Sequence, residues 1–129
     1  MAEGIETAAV LGAGVMGSAI AAHLAGAGIK THLLDIVPPN LDDSQKDDPA
    51  ARNGFALKGV QTALKAKPAA FYSPAAAKLV VPGNFDDHLD RIKDCDLVIE
   101  AVIERLDIKK SLFARVAEHL RDDAILASN

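Results

Sequence analysis

Apolar residues fall along this chain in two alternating kinds of run. The first kind is short and continuous. Thr7–Leu11 (TAAVL) stops at Gly12, and runs like this are typical of strands buried on both faces inside a parallel sheet. The second kind is periodic. From residue 15 to about 27, Met16, Ile20 and Leu24 recur at i, i+4 and i+8, and the other positions are mostly Ala and Ser. That spacing predicts a helix able to lie close on a sheet. Gly26 and Gly28 end it, as glycine past a helix often does. Residues 29–34 (IKTHLL) form a second strand, closed by Asp35.

Pro38-Pro39 forbids regular structure, and the acidic stretch 42–48 (DDSQKDD) reads as a mobile loop. A helix resumes near Ala51, with Leu57, Val60 and Leu64 on one face and Lys58 and Lys65 near each other on another; Pro68 ends it. Residues 69–78 are ambiguous, with a weak helical signal over 74–78. Leu79-Val80-Val81 is a short strand before Pro82-Gly83. Asp86 is placed to cap a helix running through Lys93. Residues 96–101 (DLVIEA) are a strand. Residues 107–121 form an amphipathic helix, with Ile108, Leu112, Phe113, Val116 and Leu120 on one face, and 124–127 (AILA) begin another strand. Strands alternating with helices predict an α/β domain built on a doubly wound parallel sheet, here five strands of its N-terminal part.

Composition narrows the function classes. The 129 residues suffice for one domain, and aromatics at 4% imply a core of small aliphatic side chains. A net charge of −4 argues against nucleic acid as the main partner. The single cysteine, Cys95, excludes an internal disulfide and a zinc cluster, and fits a reducing compartment. It reads as a small buried residue. The start, MAEGIETAAVLG, has no basic segment before its apolar run, so no signal peptide is expected. No apolar run approaches the roughly 18 residues that span a bilayer. The expectation is a soluble, cytoplasmic protein.

The chemistry begins at Gly12-Ala13-Gly14-Val15-Met16-Gly17, a G-x-G-x-x-G that follows a predicted strand and opens a predicted helix. Gly12 permits the tight turn, Gly14 lets a pyrophosphate approach the backbone, and Gly17 lets helix and strand meet closely. The unpaired amides and the dipole of the helix favour an anion there. Asp35 stands 18 residues after Gly17, near the expected spacing of about 20 for the acid that accepts hydrogen bonds from the adenosine ribose. The same carboxylate repels the extra phosphate of NADP, and Ile36 beside it offers no cation to that phosphate. The cofactor expected is NAD. FAD shares the fingerprint, and the loop alone leaves it open. No Gly-Lys-Ser/Thr follows, which excludes an ATP-type loop.

A second constellation lies at 96–110, DLVIEAVIERLDIKK. Glu100 falls within a strand, and Glu104 and Lys109 fall just beyond it, near where ligands bind an open parallel sheet. Spacing alone leaves those two as either solvated helix-end charges or cofactor contacts.

Three segments, VLGAGVMGSAIAAHLAGAGIKTHLLD, DLVIEAVIERLDIKKSLF and ILASN, resemble the Rossmann-type NAD-binding domain of 3-hydroxyacyl-CoA dehydrogenases. The likeness covers the first 36 residues and the last 34 or so. Its most specific parts are "VIEAV-x-E" and "K-x-x-x-F". The insertion over 38–67 and "PGNF" at 82–85 look most like the bacterial fatty-acid-oxidation form, fused to an enoyl-CoA hydratase. The resemblance implies oxidation of 3-hydroxyacyl-CoA to 3-oxoacyl-CoA in fatty-acid β-oxidation, with NAD as hydride acceptor. It implies that Gly12, Gly14, Val15, Met16 and Gly17 line the pyrophosphate, and that Asp35 with Ile36 meets the adenosine. Ala101, Val102 and Ile103 would pass beneath the cofactor, with Glu104 and Lys109 near its ribose and nicotinamide end. Lys58, Lys65 and Lys67 are either ordinary surface lysines or contacts to CoA phosphates.

The family motif continues past "ASN" with a Thr and a substrate-binding Ser, so residues 1–129 read as an NAD-binding domain cut before the catalytic segment. A catalytic His, its Glu partner and an Asn would come later still. None of His23, His32, His88 and His119 matches the catalytic one, and no catalytic residue is assigned. The parent would carry a second, mostly helical domain for substrate and for a homo-oligomer; the fragment alone would be inactive. Rival readings are another NAD-linked hydroxy-acid dehydrogenase and a non-enzymatic NAD-sensing module.

Overall fold

A computed structural model of the chain describes residues 5–65, 76–101, 106–120 and 124–128. Five strands, β1 (Thr7–Leu11), β2 (Lys30–Asp35), β3 (Val80–Asn84), β4 (Leu97–Glu100) and β5 (Ile125–Ser128), pair in parallel in the order β3-β2-β1-β4-β5. The order reverses between β2 and β4 around the central β1, which opens a crevice at the carboxyl ends of the strands. Ala8 to Leu11 are wholly buried, as a central strand covered on both faces must be.

The helices are α1 (Val15–Gly26), α2 (Pro49–Arg52), α3 (Gly54–Lys65), α4 (Phe85–His88) and α5 (Leu106–His119), with 3₁₀ segments at Ala76–Leu79 and Leu89–Asp94. Strand residues alternate between two cores. Ala9, Leu11, Leu34 and Val98 meet Phe85, Leu89, Ile92, Leu112 and Val116 on one face. Val10, Leu33 and Val80 meet Ala21, Ala22, Ala25 and Ala63 of α1 and α3 on the other. The doubly wound α/β expectation therefore holds.

Several local expectations change. The buried line of α1 is Gly17, Ser18, Ala21, Ala22 and Ala25, whereas Met16 is 54% exposed. Ile20 and Leu24 only flank that core. The small residues win because they let the helix axis approach the sheet. In α3 the same holds. Ala56, Gly59 and Ala63 are buried, while Leu57 and Val60 are half-buried and the Leu64 side chain lies outside the described residues. Gly28, at φ +87°, closes α1. The Gly28 amide donates to the Ala25 carbonyl at 3.0 Å and that of Ile29 to Leu24 at 3.1 Å, the paired bonds of a Schellman ending.

Strand β3 runs through Pro82-Gly83 rather than stopping before them. As an edge strand it tolerates a residue with no N–H. Asn84, not Asp86, caps α4, accepting the Asp87 amide at 2.7 Å. The backbone is extended at Asn84 (φ −136°, ψ 162°), as a cap position requires, whereas Asp86 already lies within the helix, which gives way to a 3₁₀ segment at Leu89. Residues 42–48 form turns gathered on the Asp42 carboxylate, which accepts both the amide and the hydroxyl of Ser44. Of the weak helix over 74–78, the 3₁₀ turn at Ala76–Leu79 is the described part. Within α5, Leu112 and Val116 are buried, and Leu120, just past its end, packs beside them; the side chains of Ile108 and Phe113 lie outside the described residues.

Candidate cofactor site

The glycine loop leaves β1 at Gly12, whose φ of +114° is open to glycine and strained for other residues. Its amide donates to the Leu34 carbonyl at 2.7 Å, so the turn bends toward β2. Gly14 is the N-cap of α1, with no side-chain cap and no acid in the first turn. The positive end of the helix dipole therefore faces the crevice without a side-chain cap or a neighbouring acid of its own first turn, the arrangement that favours a phosphate. A Cβ on Gly17 would run into the Gly12 carbonyl and stand 3.5 Å from Ala101 Cβ. This glycine lets α1 start directly over the ends of β1 and β4. Val15 is 80% exposed, an apolar side chain left open at the mouth of the cradle.

Asp35 ends β2 beside this loop. Its Oδ2 accepts the Ala13 amide at 2.8 Å and its Oδ1 accepts the Ile36 amide at 2.7 Å. The carboxylate therefore holds the loop in place as well as facing the crevice. Ionised, it has about four lone-pair sites, so two remain to accept from ribose hydroxyls. Ile36 packs its side chain partly against the core of the opposite face.

The loop and Asp35 form one side of a cavity of about 280 Å³. Helix α3 forms the other side, through Phe55, Lys58, Gly59 and Thr62. Of these, Lys58 alone is singled out in the sequence, as a candidate contact to CoA phosphates; Phe55, Gly59 and Thr62 are not read there as a wall of the cofactor site. A Cβ at Gly59 would come within 2.5 Å of Ser18 Oγ and 2.9 Å of the Ala13 carbonyl, so Gly59 lets α3 press directly on the cradle. The signal was an isolated glycine inside a helical pattern, which often marks close packing.

Other links fasten the start of α3. Arg52 Nε and Nη2 donate to the two Asp87 oxygens at 2.7 and 3.0 Å. The Arg52 side chain, with help from Asn84, pulls the Asp87 carboxyl down to about 2. The wholly buried Asn84 donates to Asn53 Oδ1 at 2.8 Å.

Ala101 is buried against Gly17, and its amide donates to the Leu11 carbonyl at 2.8 Å. Glu100, wholly buried, precedes it at the end of β4. Val102, Ile103 and Glu104 lie outside the described residues, as does the side chain of Lys109, which belongs to α5. Lys58 lines the cavity; the Lys65 side chain and Lys67 lie outside the described residues.

No histidine is among the residues that line the cavity. His32 is buried in β2, and burial, with Arg91 and Lys30 nearby, lowers its pKa to about 4. His88 accepts the Asn84 amide through Nδ1 at 3.0 Å, and burial also lowers its pKa. Cys95 is buried, its Sγ 3.5 Å from the Arg91 carbonyl. Among the described residues no group of three or more His, Cys, Asp or Glu could hold a metal, and no helix is long and apolar enough to cross a membrane.

Known proteins share this fold and sequence. The family described as "3-hydroxyacyl-CoA dehydrogenase, NAD binding domain" matches residues 7–129. A Deinococcus radiodurans protein, described provisionally as a 3-hydroxyacyl-CoA dehydrogenase, is 50% identical over 97% of this chain. A Rickettsia felis protein, described provisionally as a fatty acid oxidation complex trifunctional enzyme, is 38% identical over 97% of the chain. The chain spans 34% of the first relative and 16% of the second. The crystal structure of (S)-3-hydroxybutyryl-CoA dehydrogenase from Ralstonia eutropha superposes with a TM-score of 0.67 at 26% identity, covering 97% of this chain and 41% of that one. An uncapped helix start over a glycine turn, an acid locked beside it and these likenesses agree: the chain belongs to the NAD-binding domain family of the 3-hydroxyacyl-CoA dehydrogenases, and its cofactor is NAD.

Proposed function

We propose that this chain is the cofactor-binding portion of an enzyme that oxidises 3-hydroxyacyl-CoA to 3-oxoacyl-CoA in fatty-acid β-oxidation. The observation that carries the reading is the cradle itself: a helix start at Gly14 with no side-chain cap and no acid in its first turn, and Asp35 bonded to the same loop. NAD, when bound, accepts the hydride from the hydroxyl-bearing carbon. The chain's own residues bind and orient. The amides of the first turn of α1 meet the pyrophosphate, Asp35 accepts from the adenosine ribose, and Ala101 with Val102 and Ile103 forms the floor. Glu104 and Lys109 serve the ribose and nicotinamide end.

The 3-hydroxyacyl-CoA substrate and a homo-oligomeric assembly belong in this proposal to the whole enzyme. The buried thiol of Cys95 suits the cytoplasm as its compartment.

Titration calorimetry with NAD on the chain and its Asp35→Ala variant tests the cofactor part. Loss of charge-assisted hydrogen bonds of about 1.5–3 kcal/mol weakens binding roughly 10–150-fold. Unchanged NAD affinity in the variant overturns the ribose role. For the whole enzyme, turnover of a 3-hydroxyacyl-CoA is expected to exceed that of small free hydroxy acids; the reverse order overturns the substrate class.

A further inference from the structure

Helix α3 places Phe55, Lys58, Gly59 and Thr62 at i, i+3, i+4 and i+7, which is one face, and that face closes the cavity opposite the glycine loop. The wall is held close by the Gly59 contact with Ser18 and Ala13, and its start is tied to β3 and α4 through Asn53 and Arg52. Asp35 is the one anion lining the cavity and Lys58 the one cation, among the described residues. The ion pairs found among the described residues, Lys46–Asp43, Arg52–Asp87 and Arg115–Asp86, do not include Lys58.

The two charges bear on one chemical choice. A ribose 2′-hydroxyl donates to a carboxylate, whereas a 2′-phosphate is repelled by it and needs a cation. The place where such a cation usually stands, next to the acid, holds Ile36. Lys58 is 23 positions from Asp35 in the chain, and the fold alone brings it to the same cavity. Its flexible four-carbon stem lets the ammonium follow a phosphate anywhere along that wall.

We propose that Lys58 makes this cavity a latent site for a 2′-phosphorylated dinucleotide, which Asp35 keeps closed, so that the cofactor choice is a contest between these two side chains. The proposal rests on the NAD reading above. It treats Lys58 as a specificity-determining residue for the adenosine end.

The test measures dissociation constants for NAD and NADP, by calorimetry, on the chain and on Asp35→Asn, Lys58→Ala and the double variant. Circular dichroism checks that each is folded. Asp35→Asn keeps an acceptor oxygen for the Ala13 amide and removes the charge, giving up the bond from the Ile36 amide; Asp35→Ser is the second choice if it unfolds. Asp35→Asn is expected to tighten NADP at least about tenfold relative to NAD. Adding Lys58→Ala is expected to take back most of that gain, and to weaken NADP at least about fivefold more than Lys58→Ala weakens NAD in the parent chain. Two results overturn the proposal: a double variant that holds NADP as tightly as Asp35→Asn, or equal loss of both cofactors on Lys58→Ala, which would assign the lysine to the shared pyrophosphate. If the parent chain binds neither NAD nor NADH, the NAD reading itself fails, and the two failures are told apart.

Discussion

On one face of the sheet Leu11, Leu34, Phe85, Leu89, Ile92, Leu112 and Val116 fill the space between strands and helices with bulky side chains. On the other face the same sheet meets Ala21, Ala22, Ala25 and Ala63, with Gly17 and Gly59 where backbones touch. The difference follows from what each face must do. Bulky side chains bury more apolar area per residue and hold elements apart. Small ones bury less but bring α1 and α3 close enough that the start of α1 sits over β1 and the flank of α3 meets the loop. The face that forms the cavity is therefore the thinly packed one, and the opposite face carries the larger share of apolar burial.

Truncation on the bulky face gives the largest expected effect. Ile92→Ala removes a wholly buried side chain and should lower unfolding free energy by about 2–5 kcal/mol in urea titrations, with little change in NAD affinity. A loss below about 1 kcal/mol would show that this core relaxes around the cavity and that the two faces differ little.

The bulky face also hides His32, whose pKa of about 4 lies below its unfolded value of 6.5 because burial, Arg91 and Lys30 disfavour the cation, against Asp94. A depressed histidine means that the unfolded state binds the proton first. Stability is then steady above about pH 6.5 and falls as the pH drops toward about 4, at no more than about 1.4 kcal/mol per pH unit. Thermal melts from pH 7.5 to 4, alongside a His32→Asn variant, check this; a variant with the same slope assigns the loss to other groups.

On the thin face the damage comes from adding atoms. Gly59→Ala should cost about 1–3 kcal/mol by overpacking against Ser18 and Ala13, and it should also raise the NAD dissociation constant because α3 is pushed off the loop. If stability and affinity both stay at parent values, the close approach of α3 is not needed. The smallest effect is expected at the junction of the two regions. Asn84→Ala removes the α4 cap and the Asn53 link, about 1–2 kcal/mol by denaturant titration, with only a minor change in NAD affinity.

Much of this was legible along the chain. The boundaries of β1 and α1, the positions of β2 and β4, the turn at Gly12, the close approach at Gly17 and the place of Asp35 at the end of β2 follow from local rules: where an apolar run stops, and where a backbone must turn or approach closely. The recurrence of Met16, Ile20 and Leu24 marks α1 as a helix, and its Ala and Ser positions let it lie close on the sheet, but periodicity alone does not say that Ser18, Ala21, Ala22 and Ala25 are the buried line. Asp86 is a suitable cap by residue type, but the extended backbone that precedes the helix falls at Asn84, two positions earlier, and Asn is as good a cap.

The sequence by itself determined an α/β chain with a glycine turn, an acid at the end of the second strand and a dehydrogenase motif in the fourth, because each depends on contacts or spacings within a few dozen residues. Only the tertiary structure decided the second wall of the site. Phe55, Lys58, Gly59 and Thr62 become part of it because α3 packs across α1, and no local pattern states which helix face will meet a loop more than forty positions earlier. Parallel strands place sequence-distant segments side by side, so the cavity forms only when the sheet closes.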